Sequence, residues 1–243
     1  MKAFSVLGLT VTLAGLFGCQ SNTTNSNASI YKGSSVTVGS GTAYTWVKTN
    51  SSGNFSSIGI TLSDSALTGL EKMEEMLELP VPSGFSTPFK SVALDYANTD
   101  PIPYNKPHID PHFFYIDMAH RMSIMADTDS MMPINMTMPA GYMTDSISEA
   151  MMGVHWTDTT GPENHGQPFQ SAVGYGFTNG NLTFMEVMCD KTSLEVRKTI
   201  TNTVRKPTMM GGTMGSMMMS IPSSYQLSYD SIAHAYSIEF DGF

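Results

Sequence analysis

Little in this sequence points toward nucleotide, nucleic-acid or disulfide chemistry. Of its 243 residues, 12 are Lys or Arg against 21 Asp or Glu, a net charge of −9. A surface that grips phosphates needs clustered cations. The one basic group, Arg197, Lys198, Arg205 and Lys206, is too small for that, and nucleic acid is not an expected partner. Cysteine is nearly absent: Cys19 and Cys189 are the only two, so no disulfide framework holds the fold. There is no Gly-x-Ser-x-Gly elbow, no phosphate loop and no dinucleotide fingerprint. Beyond residue 18 no apolar run approaches the roughly 20 residues that a membrane helix needs. About 210 residues remain from Ser35 onward. They contain no internal linker and no repeat, so one domain is expected over 36–243, long enough to stand on its core alone.

What is present begins with a targeting segment. Lys2 is followed by an apolar or small run from Ala3 to Gly18 that ends in Leu16-Phe17-Gly18-Cys19. This resembles a bacterial lipoprotein signal, residues 1–18, cleaved so that lipid is attached to the Cys19 thiol. Gln20 stands after the cysteine, in place of the Asp associated with inner-membrane retention. The resemblance therefore implies a cell-envelope protein anchored to the outer membrane through its N-terminal lipid. Residues 19–35 are dominated by Ser, Thr and Asn. They bury too little apolar surface to offset their ordering entropy and read as a flexible tether. With Cys19 lipidated, Cys189 has no partner and reads as a buried, inert thiol.

Strand signals dominate the rest. Ser35 to Thr49 is broken by Gly39-Ser40-Gly41, and Phe55 to Leu62 follows a turn at 50–54. Phe89 to Tyr96, Val154 to Thr157, Ala172 to Thr178 and Asn181 to Met188 are further strands. Asn179-Gly180 marks a tight hairpin between the last two, and Tyr225 to Tyr229 with Ala235 to Phe240 forms a closing hairpin. Asp64 reads as an N-cap for a helix carrying Ala66, Leu67, Leu70, Met73, Met76 and Leu77 at helical spacing, with Glu71, Glu74 and Glu75 on its solvated face. Asp117 caps a short helix, Met118 to Met125. Residues 126–147 read as irregular, Ser146 to Met152 as a helical turn, and Leu194 to Val204 as ambiguous. The predicted class is mainly β (α+β): an antiparallel β-sandwich or open barrel with a few short peripheral helices.

Several segments together resemble an uncharacterised bacterial family of secreted and lipoprotein domains. Its PHFDFHFY-type strand is matched by Pro107-His108-Ile109-Asp110-Pro111-His112-Phe113-Phe114-Tyr115. Its Met-Gly-x-His-Trp element is matched by Met152-Gly153-Val154-His155-Trp156. Its Tyr-Gly-Phe-x-x-Gly-x-x-x-Phe-x-Glu-x-Met element is matched by Tyr175-Gly176-Phe177, Gly180, Phe184, Glu186 and Met188. Ala43-Tyr44-Thr45-Trp46-Val47 and Tyr236-Ser237-Ile238-Glu239-Phe240 fit as well. The resemblance implies secretion and a β-rich fold, but no activity. Pro111 departs from the pattern, and a proline lacks the ladder donor that confines it to sheet edges and bulges.

The chemistry concentrates in the same segments. In an extended chain His108, Asp110 and His112 point to one side. With His155 and Glu186 they make a candidate site for Zn, Mn, Fe, Cu or Ni, with Asp110 either a ligand or an acceptor for an imidazole N–H. The set is similar to three-His-one-Glu sites in small β-barrels, although its His-x-x-x-His spacing differs from their His-x-His. The alternative is a buried hydrogen-bonded network that fixes strand register. Methionine is the second anomaly, 21 residues in all. Met209, Met210, Met214, Met217, Met218 and Met219 lie in a Gly/Ser/Thr tract, where soft thioethers suit Cu(I) and an apolar patch suits a self-associating or partner surface. Met73, Met76, Met122 and Met125 read as ordinary core. His120, His165 and His234 are isolated and read as surface or capping residues. Three functions follow as expectations: a non-catalytic envelope binding protein, with a metal site at these residues and a homo-oligomeric partner surface as its possible features; a metal-dependent enzyme using the same residues, with Asp110 or Glu186 as base; and a methionine-rich copper-binding lipoprotein.

Overall fold

The protein is described by a computed structural model over residues 28–73, 75–98, 100–127, 132–134, 136–209 and 221–243. The signal segment, Cys19 and the methionines from Met210 to Met219 lie outside these residues. In chain order the strands are β1 (Ser29–Lys32), β2 (Val36–Val38), β3 (Gly41–Thr49), β4 (Phe55–Ser63), β5 (Leu77–Leu79), β6 (Ser91–Ala97) and β7 (His108–Phe114). After helix α1 (Met118–Met122) come β8 (Met136–Thr137), β9 (Tyr142–Glu149), β10 (Gly153–Asp158), β11 (Ser171–Thr178) and β12 (Asn181–Asp190). Helix α2 (Lys191–Glu195) precedes β13 (Ile200–Thr203), β14 (Thr208–Met209), β15 (Ser224–Asp230) and β16 (Ala235–Asp241).

Two antiparallel seven-stranded sheets pack as a sandwich. One runs β1-β3-β4-β16-β15-β13, with β2 also on β3; the other runs β5-β6-β7-β12-β11-β10-β9. Alternation decides which face each residue takes. From β4 and β16, Ile58, Ile60, Leu62, Ile238 and Phe240 face inward; from β7, β11 and β12, Ile109, Phe113, Tyr175, Phe177, Met185 and Val187 meet them. The rings of Phe113 and Phe240 touch across the interface at 5.0 Å between centroids. No helix among the described residues is long and apolar enough to cross a membrane.

Most strands lie where the sequence places them. Asn179 (φ 49°) and Gly180 (φ 69°) adopt the left-handed pair that a two-residue hairpin requires. Four segments differ. Part of the expected tether is a strand: β1 pairs with β3 from Ser29↔Thr49 to Lys32↔Trp46, although its four residues are exposed. Backbone ladder bonds hold it, not burial, so composition does not reveal it. The expected 64–77 helix is instead two short 3₁₀ turns, Asp64–Leu67 and Leu70–Lys72, followed by β5, and Ser63 rather than Asp64 occupies the N-cap position. Gly69 between the turns sits at φ 85° and breaks the helical path while still letting Ala66, Leu67 and Leu70 reach the core. The stretch read as irregular and then as a helical turn contains β9, which pairs with β10. Ambiguous 194–204 splits between the end of α2 and β13.

The helix expected from Met118 to Met125 forms but ends at Met122, and its anchor is unusual. Asp117 accepts a hydrogen bond from the His120 N–H at 2.9 Å and caps α1. Met122 and Met125 are exposed, not core. What docks α1 is Arg121, a buried side chain whose guanidinium lies 3.7 Å from the centre of the Phe114 ring and whose Nη1 donates to Glu78 Oε1 at 2.6 Å. Glu78 is partly exposed, so most of the stabilisation comes from the desolvated stack. Replacing Arg121 with Ala should destabilise the domain by about 2 kcal/mol, measured as a drop in urea midpoint without a change in slope. A Glu78→Gln variant should lose distinctly less.

Candidate metal centre

The outward face of the second sheet is not a water-facing surface. His108, Asp110, His112 and Phe114 alternate with inward Ile109 and Phe113 on β7, as the sequence pattern requires, and all are buried. Residues 100–107 and the β9–β10 turn cover them, leaving a cavity of about 320 Å³ lined by Asp100, Tyr104, His112, Glu149, His155 and Glu186, among others. A larger cavity, about 470 Å³, opens near Arg205. Its guanidinium is already engaged by Asp158, Thr160 and the Ala140 carbonyl, and no comparable ligand set converges there among the described residues.

Pro111 turns out to sit in an interior strand, between β6 and β12. Its pairing with Leu94 on β6 is kept, while the ladder to β12 pairs His112 with Glu186 and resumes only at Ile109↔Cys189. The missing donor therefore falls on the β12 side and opens the ladder beside Asp110. The three-on-one-face arrangement survives.

The five expected ligands do not form one site. A ring nitrogen from each of His112 and His155 and a Glu186 oxygen lie within 4.8 Å of one another; His108 and Asp110 converge instead with Asp100. His112 and His155 come from strands three steps apart, roughly 14 Å at ordinary strand spacing, yet their ring centroids are 6.2 Å apart. Two glycines make this approach possible. Gly174 pairs with Glu186 and Gly176 with Phe184. A Cβ on Gly174 would stand 2.1 Å from Glu186 Oε1, and one on Gly176 would fall 1.8 Å from the Phe184 ring. The Glu186 carboxylate thus lies over β11, while the Phe184 ring packs against His112 at 4.9 Å and His155 at 5.0 Å. A register shift brackets His155 on β10, opposite Ser146 at φ 64° on β9.

Each β7 imidazole is fixed by its backbone side. Nδ1 of His112 lies 2.8 Å from the Asp110 carbonyl oxygen and Nδ1 of His108 lies 2.5 Å from that of Lys106, so each Nδ1–H donates and Nε2 faces the carboxylates. His112 Nε2 is 3.0 Å from Glu186 Oε2; His108 Nε2 is 3.2 Å from Asp110 and 3.3 Å from Asp100. Despite these distances, neither Nε2 has a hydrogen-bond partner among the described residues. The contacts are close but the ring N–H directions miss the oxygens. Around a tetrahedral ion with ligand bonds of about 2.0–2.1 Å, neighbouring ligand atoms are about 3.3 Å apart. The His108 separations of 3.2 and 3.3 Å are close to such an edge, whereas the 3.0 Å between His112 and Glu186 is an ordinary ion-pair distance.

Of the remaining expectations, Cys189 is buried, with its thiol donating to the Val187 carbonyl at 3.3 Å and its pKa pushed up by burial, as an inert thiol should be. His120, His165 and His234 are exposed. Sequence reasoning missed Asp100, Glu149 and the two glycines. Gly174 and Gly176 inside a strand were a readable sign of close approach; Asp100, in a proline-rich loop, carried none.

No family model, curated protein or solved structure matches this chain. The centre is therefore interpreted from its own electrostatics. Burial opposes charge on both β7 imidazoles, but the neighbouring carboxylates outweigh it, raising His108 to about 11 and His112 to about 9 from an ordinary 6.5. Burial lifts Asp110 to about 7 against the pull of His108. Glu186 is held below its ordinary value because His112 and its neighbours overcome the desolvation. In the metal-free protein the three raised groups contribute stability that is lost as pH rises through about 7, 9 and 11. Glu186 has the opposite sign, and its loss falls at acid pH. The melting temperature measured in chelator should therefore decline steadily from pH 6.5 to 10; a flat or rising profile would contradict these assignments.

Proposed function

We propose that this is a lipid-anchored cell-envelope protein whose β-sandwich binds a divalent transition metal through His112, His155 and Glu186. The convergence of three donors at the wall of a solvent-connected cavity carries this reading. Two imidazoles and one carboxylate form a ligand set used for Zn, Mn or Fe, with a coordination position left for water or a small ligand. With a divalent ion the set carries one net positive charge, which favours an anion or hydroxide as the further ligand. The apolar run ending at Cys19 supports anchoring in the outer membrane, and the order of motifs from residue 36 to 243 supports kinship with the secreted family named above.

A binding role is the simpler reading. A metal-dependent enzyme is the second, and one observation favours it: Glu149, half-exposed, sits 3.8 Å from His155 Nδ1, within range to serve as a base for a bound water. Methionine-based copper binding would rest on a tract of which only Met209, the last residue of β14, lies within the described residues.

Protein purified without a histidine tag should carry stoichiometric metal by elemental analysis. Glu186→Gln should abolish that binding at the His112 site. Gly174→Ala should weaken it by about 10- to 100-fold, because its Cβ would displace the Glu186 carboxylate. Protein that contains no metal and melts identically with and without chelator and added zinc would end the reading. Copper that is lost only when the 209–219 methionines are replaced would move it to the thioether tract.

A further inference from the structure

Asp100, His108 and Asp110 each offer one ligand atom within a common 4.8 Å. The first lies on the segment leading into β7; the other two are on β7 itself. His108 is fully enclosed and Asp110 nearly so, whereas the Asp100 side chain is 40% exposed. The backbone carbonyl of Lys106 fixes the His108 ring so that Nε2 faces both carboxylates. That Nε2 has no hydrogen-bond partner among the described residues, and neither does Asp110 Oδ1. Buried polar atoms without partners are costly and rarely left so. One imidazole and two carboxylates carry two formal negative charges, which a divalent cation would neutralise; a buried imidazolium would leave one.

We propose that Asp100, His108 and Asp110 hold a second divalent transition-metal cation, of the Zn or Mn class, which clamps residues 100–107 onto the sheet. The donor set is harder than that of the His112 centre and suits a structural ion. The clamp has a functional consequence. Ile102, Pro103 and Tyr104 of this segment form part of the wall of the cavity that His112, His155 and Glu186 also line. Tyr104 packs on Phe169 and the Lys106 carbonyl meets His108, but among the described residues Asp100 at the start of the segment reaches β7 only through its contact with His108; an ion would fix that end of the cavity wall. Binding at Asp100, His108 and Asp110 does not depend on the His112 centre being occupied; only control of access to that centre rests on the function proposed above.

The test uses the full mature chain without a tag, its Asp100→Ala and His155→Ala variants, and zinc as the probe. Equilibrium dialysis with elemental analysis gives the stoichiometry, and amide hydrogen exchange over residues 100–107 gives the clamp. Wild type should bind two equivalents of zinc and show slowed exchange in 100–107. His155→Ala should lose one equivalent and keep the zinc-dependent slowing. Asp100→Ala should lose the other equivalent and the slowing together; its side chain is 40% exposed, and a circular-dichroism spectrum and a cooperative melt matching the wild-type fold would show that the variant is folded. The proposal is overturned if Asp100→Ala keeps the wild-type stoichiometry and protection, or if His155→Ala binds no zinc. A single equivalent that is lost in Asp100→Ala but kept in His155→Ala would uphold the clamp and remove the His112 centre.

Discussion

Ionisable groups buried without partners are among the most expensive features a fold can carry, and this constraint governs the outer face of the second sheet. His108, Asp110, His112 and Glu186 are nearly inaccessible there. On an ordinary sandwich such a face would be wet, and the same residues would need no special arrangement. Here residues 100–107 and the β9–β10 turn seal it. Sealing raises the strength of every interaction beneath and removes the water that would otherwise satisfy stray donors. The glycines of β11, the break in the β7–β12 ladder at Pro111 and the irregular pairing around His155 follow from the need to bring these groups together under that cover.

Much of this was legible in the sequence wherever a period was at work. The alternation from His108 to Tyr115 fixed which residues share a face, and Asn179-Gly180 fixed the hairpin that places Glu186. Legibility failed where a single residue overrode a period. Between Asp64 and Leu77 the apolar spacing is helical, but Gly69 in a left-handed conformation divides the segment into two short turns, and tertiary burial of Ala66, Leu67 and Leu70 does the rest. It failed again where support comes mainly from backbone bonding, as in β1, whose exposed residues continue a Ser/Thr/Asn-rich stretch that resembles a tether. The centre was half legible for a related reason. Strand register can be inferred locally, but that β10 lies three strands from β7 is a fact of topology, as is the folding of Asp100 back over His108.

Pro111 illustrates how a local rule can be obeyed in an unexpected place. A proline inside a sheet must leave one ladder position unpaired, which argues for an edge. The chain instead keeps β7 in the interior and lets the β12 ladder lapse at Pro111 and Asp110. The lapse lies beside Asp110, the carboxylate that converges with His108 and Asp100. An uninterrupted ladder would hold Asp110 more rigidly in register. Asp110 is instead held from the other side, by an unbroken ladder to β6 that pairs it with Asp95.

Whether these clusters are salt-bridge networks or metal sites turns on direction more than distance. An imidazolium–carboxylate pair at 3.0 to 3.3 Å gains most when the N–H points at the oxygen, and here the hydrogen bond from each Nδ1–H to a backbone carbonyl and the packed phenylalanine rings set the ring orientation. Here Nε2 of both β7 histidines falls at hydrogen-bond distance and yet misses. Ligand atoms gathered within 4.8 Å of one another, with the opposite ring nitrogen of each β7 histidine tied to a backbone carbonyl, form a set that a shared cation could join. A proton can satisfy one donor–acceptor axis at a time; a cation satisfies all three at once. The repetition of that geometry along one strand, at His108 and again at His112, makes an accident of rotamers a poor account of it. It supports the proposal that this sheet face holds cations.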